Sequence, residues 1–344
     1  MPNVSKKQPL TRREIFAGTV KGFMARRPHR SFRLTKRRDY SRSLKLPGYF
    51  AFTGSVSKTL WAHKKIFIWL AFLYAALTTL LVGIGSQDTY MTLTNTLKDT
   101  SADVFEGNLG QLGQAGLLFL AIGSSGLTAS PTESQQIYIV LVGLLIWLTT
   151  IWLLRNVLAG HKVKLRDGLY SAGSPIIATL LVTVVMAIQL IPVGLALIGY
   201  SAASSTGLLA GGVATMLFWV AAALLAVISM YWITSTFFAL IIVTLPGMYP
   251  MKALRTAGDM VVGRRLRILL RILWMFGVII VSSAVILIPI ILIAMGLTNV
   301  WPVVGNIPIV PTALMLVSVS AFVWGASYIY LLYRKVVDDD AKPA

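Results

Sequence analysis

The sequence predicts an all-α, polytopic membrane protein: six transmembrane helices arranged as three units, each a short elbow helix followed by a helical hairpin, behind a disordered basic N-terminal tail. Three observations predict it. Apolar residues make up 56% of the 344 residues and charged residues only 12%, with mean hydropathy +0.75, which leaves too little polar surface to cover a soluble globule of this size. Six runs, at residues 66–85, 137–154, 175–200, 207–245, 272–297 and 311–333, contain no Asp, Glu, Lys, Arg or His. Each is near or above the ~20 residues that carry an α-helix across a hydrocarbon layer of roughly 30 Å with its backbone amides satisfied internally. Finally, Lys and Arg alternate between the connecting segments: 17 before residue 66, one in 86–136, four in 155–174, none in 201–206, six in 246–271, none in 298–310 and three after 333. That alternation is the positive-inside pattern of six spans with both termini in the cytoplasm, and it predicts a multi-pass protein of the cytoplasmic membrane.

The tail, residues 1–46, precedes a transmembrane domain at 47–344. Its residues 26–40 hold seven basic side chains, Arg26, Arg27, Arg30, Arg33, Lys36, Arg37 and Arg38, against Asp39 alone. Topology needs charge only within about 15–20 residues of a span, so this cluster lies beyond that reach and calls for a partner. Anionic lipid headgroups suit it, at about 1 kcal/mol per basic residue near such a surface, with Phe32, Leu34 and Tyr40 placed to dip among the headgroups. Interspersed aromatics also suit RNA, so attachment of RNA or the ribosome is the alternative. No cleavable secretory signal precedes the first span. Ile15, Phe16, Val20, Phe23 and Met24 share one helical face, the mark of a mitochondrial presequence, which makes the mitochondrial inner membrane the alternative location. The basic character continues to Lys65, past where a presequence stops.

The first elbow is read in "PGYFAFTGSVSKTLWAHKK" at 47–65, ahead of the span at 66–85. The loop at 86–136 carries the acids Asp88, Asp99, Asp103, Glu106 and Glu133, and its apolar stretch "GLLFLAIG" at 116–123 is too short to span. A helix lying on the outer face and a re-entrant segment are the two readings. The second and third elbows share a tail, "LYSAG" at 169–173 and "LRTAG" at 254–258. The spans that follow share "LIPVGLALIG" at 190–199 and "LIPIILIAMG" at 287–296. Two features recurring in the same order predict an internal repeat, and since every unit enters from one side the repeat is parallel, not inverted. The run at 207–245 is long for one span. Tilt or protrusion absorbs the excess, whereas a double pass would invert the later loops and break the charge alternation.

Chemistry is sparse. There is no cysteine, hence no disulfide, thiol nucleophile or thiolate metal site. No ionisable side chain falls within the six runs, and His29, His63 and His161 lie far apart in basic segments without ligand spacing. No phosphate-binding glycine loop, metalloprotease helix or nucleophile elbow appears. The sequence therefore predicts neither catalytic residue, metal nor cofactor. Polarity within the spans is mild, at Gln189, Ser229, Thr234, Ser235, Thr236, Ser282 and Ser283, groups that usually bond between helices. Gln189, close to the helix-kinking Pro192, is the candidate intramembrane polar site. Trp61, Trp152 and Trp301 near span ends read as interfacial belt.

In "YPMKALRTAGDMVVGRRLRIL", residues 249–269, the chain resembles the six-span membrane domain fused to some bacterial glycerophosphodiester phosphodiesterases, and the related YciC-type polytopic membrane proteins. That group places a cytoplasmic elbow of the form Ala-Leu-basic-x-Ser, with a Gly six residues after the Ser, ahead of its fifth span. Ala253, Leu254, Arg255 and Gly263 match, and Ala257 stands where the Ser would be. The resemblance covers the spans and elbows but not the tail. It implies this architecture, an elbow centred on Arg255, Gly263, Arg264 and Arg265, and no catalytic residue, because the phosphodiesterase domain has no counterpart here.

These readings converge on a non-enzymatic membrane scaffold or accessory module whose basic cytoplasmic face meets anionic lipid or an acidic protein partner. The alternatives are a permease or flippase-like carrier of a neutral or amphiphilic substrate, and membrane attachment of a ribosome or nucleic acid. The topology has a simple check: reporter fusions at Lys98 and Lys162 should report opposite sides of the membrane, with Lys162 inside. A reporter active outside at Lys162 would sink the assignment.

Overall fold

The computed structural model describes residues 44, 46–82, 132–205, 211–301 and 309–340. Among these the chain forms nine helices and no strand: α1 Tyr49–Ala62, α2 Lys64–Val82, α3 Glu133–Leu158, α4 Leu165–Ala172, α5 Ile176–Ser205, α6 Val213–Ile242, α7 Pro250–Val261, α8 Arg265–Val300 and α9 Ile309–Asp340. Six of them, α2, α3, α5, α6, α8 and α9, are long and apolar enough to cross a membrane. The remaining three are the elbows, each placed directly before a hairpin of two spans. Tail residues 1–43 and 45, with the seven basic residues at 26–38 and His29, lie outside the described residues, as do Lys98 and the 116–123 stretch.

Local chemistry explains where the helices begin. Thr132 caps α3 reciprocally: its Oγ1 accepts from the Gln135 N–H at 3.4 Å, and the Thr132 N–H donates to Gln135 Oε1 at 2.9 Å. Gln135 Nε2 then donates to the Val82 carbonyl at 2.9 Å, tying the start of α3 to the end of α2. This cap sets the start of α3 at Glu133, four residues before the apolar run. At α8 the helix extends further beyond its apolar run. The apolar run at 272–297 becomes a helix that starts at Arg265, because residues 265–276 contain neither Pro nor Gly and charge ends an apolar run without ending a helix. The described residues of the run at 207–245 form one helix, α6, which starts after Gly211 and Gly212 at φ +132° and +87°. Its 30 residues span about 45 Å, so it must tilt or protrude in a bilayer. Pro192 and Pro289 both sit inside the first span of their units, α5 and α8, without ending it.

The elbows pack in a recurring order. Elbow α4 lies against α3 and α2, and α7 against α6 and α5, in each case the two spans of the unit before it. Elbow α1 lies against α9 and α8, the spans of the last unit, so the order closes on itself. The spans follow the same rule: α5 packs on α3, α8 on α6, and α2 on α9. Each elbow buries residues one helical turn apart, Phe52 and Val56 in α1, Gly168 and Ala172 in α4, and Ala253, Ala257 and Val261 in α7. Gly168, Ala172, Ala253 and Ala257 are small, which lets one helix backbone approach another closely. A Cβ at Gly168 would stand 3.0 Å from Leu153 Cδ2 of α3, so that approach leaves no spare room.

The centre of the bundle is α3 and α9, with 56% and 44% of their most apolar windows buried, whereas α5 and α6 turn nearly all of theirs outward. Two polar pairs cross between helices here, whereas Thr150 Oγ1 of α3 and Tyr328 Oη of α9 are buried without a hydrogen-bond partner among the described residues. Tyr74 Oη of α2 shares a 2.7 Å hydrogen bond with Thr149 Oγ1 of α3, and Trp147 Nε1 of α3 donates to the Leu240 carbonyl of α6 at 3.2 Å. Phe52 meets Tyr328 of α9 edge-on, with ring centroids 4.8 Å apart, which anchors the first elbow to the last span.

Candidate functional site

Between α3, α5, α6, α8 and α9 lies a cavity of about 560 Å³. Its walls are Leu, Ile, Val, Met, Phe, Ala and Gly with Trp147, and none of its lining side chains is ionisable. Val140, Phe276, Ile280 and Phe322 line it while remaining 42–46% exposed, and so mark its open side. Met275, Ser283, Leu287 and Leu314 line it from buried positions. Gly325 of α9 passes close to α8, where a Cβ would meet Ile279 Cδ1 at 3.3 Å, and this close contact forms part of the wall.

Three hydroxyls punctuate the wall. Thr183 Oγ1 donates to the Thr179 carbonyl at 3.0 Å, the usual bond back to the preceding turn. Ser283 and Ser318 line the cavity and have no side-chain hydrogen-bond partner among the described residues. The Trp147 indole N–H is spent on Leu240. An apolar cavity with a few unspent hydroxyls fits a ligand that is mostly hydrocarbon with an occasional polar atom. None of its lining side chains is an acid, a base or a charged group.

The polar site expected in the membrane is elsewhere and does something else. Gln189 Oε1 accepts from Thr236 Oγ1 at 2.6 Å, so Gln189 locks α5 to α6 and does not line the cavity. Pro192 is likewise away from it. Of the seven mildly polar residues singled out in the spans, only Ser283 lines the cavity. Thr183 and Ser318 were missed, since a lone hydroxyl in an apolar run carries no signal until five helices are brought together.

The elbow residues divide into two kinds. Arg255 is exposed on α7, and Gly263 adopts φ +81°, the left-handed turn that joins α7 to α8 and that side chains resist. Arg264, by contrast, is buried: Nε donates to the Met260 carbonyl at 3.0 Å, and the guanidinium pairs with Asp339 at 3.5 Å and with Asp340. Arg265 stacks its guanidinium 3.8 Å from the centroid of the Tyr231 ring. Arg271, read from sequence only as loop charge, is also buried, donating to the Pro47 carbonyl and lying 4.0 Å from the Tyr49 ring centroid. It thus joins α8 to the first elbow. No group of three or more His, Asp or Glu able to hold a metal occurs among the described residues.

Six helices of this length and apolarity make the chain a multi-pass α-helical membrane protein. No family model, curated protein or solved structure matches it.

Proposed function

We propose that this chain is a non-enzymatic membrane module that holds an apolar or amphiphilic ligand in the cavity between its spans, with its basic elbow face and basic tail turned to anionic headgroups on the cytoplasmic side. The observation that carries the reading is the cavity itself: about 560 Å³, open on one side, and lined without a single ionisable group. A site of this size and polarity suits a lipid-like molecule and gives nothing to a hydrophilic one. Catalysis within it would need a titratable group that its walls do not carry.

The loop-charge alternation supports cytoplasmic termini. What supports the internal repeat is the cyclic packing of elbows and spans together with the two buried alanines of the shared tails, Ala172 and Ala257. The kinship with the six-span membrane domains belongs to the same proposal, supported by the elbow before the fifth span and by the positive φ of Gly263. A carrier of an amphiphilic substrate is the second reading, favoured by the cavity's open side. Its flux would not depend on a proton gradient, because no group in the walls couples to one.

The test is occupancy. Ala321 lines the cavity on α9, and Ala321→Phe should fill part of it. Binding of radiolabelled diacylglycerol to the purified full chain in neutral detergent should fall by about tenfold or more in this variant, with helicity and melting temperature retained. Equal binding by both proteins would refute the cavity as the site.

A further inference from the structure

A second cavity, of about 510 Å³, lies along the seam of α3, α5 and α6 at the elbow end. It is bounded by Trp152 and Arg155 of α3, by Ser171 and Ser174 around the junction of α4 and α5, and by the turn at 243–250 between α6 and α7. The apolar cavity is bounded by the same three helices a turn or so further along each, at Trp147, Thr183 and Leu240. The two cavities are therefore stacked, with the Trp147 to Leu240 hydrogen bond between them.

Their chemistry differs. The elbow-end cavity presents the Arg155 guanidinium and the hydroxyls of Ser171, Ser174 and Thr244, and no carboxylate lines it. Arg155 donates to the Thr244 carbonyl at 3.3 Å and to Thr244 Oγ1 at 2.7 Å. A guanidinium carries five N–H donors, so these two bonds leave others for a ligand. No carboxylate among the described residues forms an ion pair with Arg155, and a half-buried cation without a counter-charge is disfavoured until an anion joins it. The junction of α7 and α8, which holds the same place in the third unit, shows the filled alternative: there Arg264 occupies the interior and is matched by Asp339 and Asp340. At the α4 to α5 junction the chain reads Gly173, Ser174, Pro175, side chains too short to fill the space.

The reach along the seam fits a lipid. From Val140, at the open side of the apolar cavity, to Arg155 the fifteen helical steps of α3 rise about 22 Å. One leaflet with its headgroups is half of about 40–45 Å, the same length.

Building on the apolar cavity proposed above, we infer that the ligand is an anionic amphiphile, its phosphate-bearing headgroup held by Arg155 with Ser171 and Ser174, and its hydrocarbon in the apolar cavity. Thr244, whose hydroxyl donates to the Ile241 carbonyl at 2.7 Å, positions Arg155. Arg155 supplies the paired donors that a phosphate accepts. To reach from one cavity to the other the ligand displaces the Trp147 ring from Leu240.

The experiment is native mass spectrometry of the full chain in neutral detergent, with three probes: phosphatidylglycerol, diacylglycerol with the same tails, and water-soluble glycerol 3-phosphate. The wild-type chain should retain phosphatidylglycerol about tenfold better than diacylglycerol, as charge-assisted hydrogen bonds of ordinary strength imply. Glycerol 3-phosphate should compete only weakly. Arg155→Gln should bring phosphatidylglycerol down to the diacylglycerol level, and Arg155→Lys should restore part of the difference. Ser174→Phe, which leaves the Arg155 to Thr244 bonds in place, should do the same as Arg155→Gln by filling the cavity. Unchanged preference for phosphatidylglycerol in both Arg155→Gln and Ser174→Phe would overturn the headgroup site. Competition by glycerol 3-phosphate as strong as that of the lipid would also overturn it, in favour of a soluble phosphate ester. Diacylglycerol binding that survives Ala321→Phe marks failure of the apolar cavity instead, so the two failures are told apart.

Discussion

Arg264→Ala is expected to cost about 3 kcal/mol of stability and to release the end of α9. Gly263, at φ +81°, makes the turn between α7 and α8 that immediately precedes Arg264, whose side chain is wholly buried. It reaches the Met260 carbonyl, Asp339 and Asp340 at once. Truncation leaves an empty space and two carboxylates at the C-terminal end of a helix, where the helix dipole already disfavours negative charge. Those carboxylates remain 11% and 29% exposed, so water takes up part of their charge and the lower end of the 3–5 kcal/mol range for breaking a buried pair applies. The measurement is unfolding of the full chain in detergent, with limited proteolysis to follow the end of α9. In a background of Asp339→Asn and Asp340→Asn the same truncation should cost clearly less, because the ion pairs it removes are already absent. An equal cost in both backgrounds would show that Arg264 acts only by filling space.

Ala257→Leu should cost about 1–3 kcal/mol and lift α7 from α6. Ala257 is fully buried one turn from Ala253, on the face that α7 turns to the spans. Three added carbons there must push neighbours aside or push the elbow away, and a short helix held by one face yields first. Ala257→Ser is the control: its hydroxyl can bond the Ala253 carbonyl one turn back, and the cost should stay below about 1 kcal/mol. Gly168→Leu places the same demand on α4, where a Cβ already stands 3.0 Å from Leu153 Cδ2. Protection of the elbow amides from hydrogen exchange would follow both. If Ala257→Leu and Gly168→Leu leave that protection intact, the elbows are not docked through these faces.

The spans were legible because hydrophobicity is local: a charge-free run announces itself, and each of the six lies within or largely within a helix. The elbows were legible from "LYSAG" and "LRTAG", and the reason is now physical, since Ala172 and Ala257 are both buried contact residues. The helix start at Arg265 was not legible, because the basic residues that ended the apolar run are themselves good helix formers. Nor was the burial of Arg264 and Arg271, whose partners Asp339 and Tyr49 lie some 75 and 222 positions away in the chain and meet them only through packing. Gln189 stood out as the most polar residue in its span, yet its side-chain oxygen is bonded to Thr236 on the neighbouring span. The cavity had no sequence signature, because its walls use the same Leu, Ile, Phe and Ser as any lipid-facing helix.

The central claim is that a hydrocarbon ligand occupies the cavity, and photo-crosslinking tests it most directly. A fatty acid carrying a diazirine along its chain, incorporated into membrane lipid in cells making the full-length protein, labels whatever its hydrocarbon touches. Met275, Ser283, Leu287 and Leu314 line the cavity from buried positions, whereas Leu217, Leu224 and Val227 lie exposed on α6. Peptide mapping should find adducts on the buried set as well as on the exposed one, with Ala321→Phe removing the former and sparing the latter. Adducts confined to the exposed residues of the wild-type chain would contradict the account.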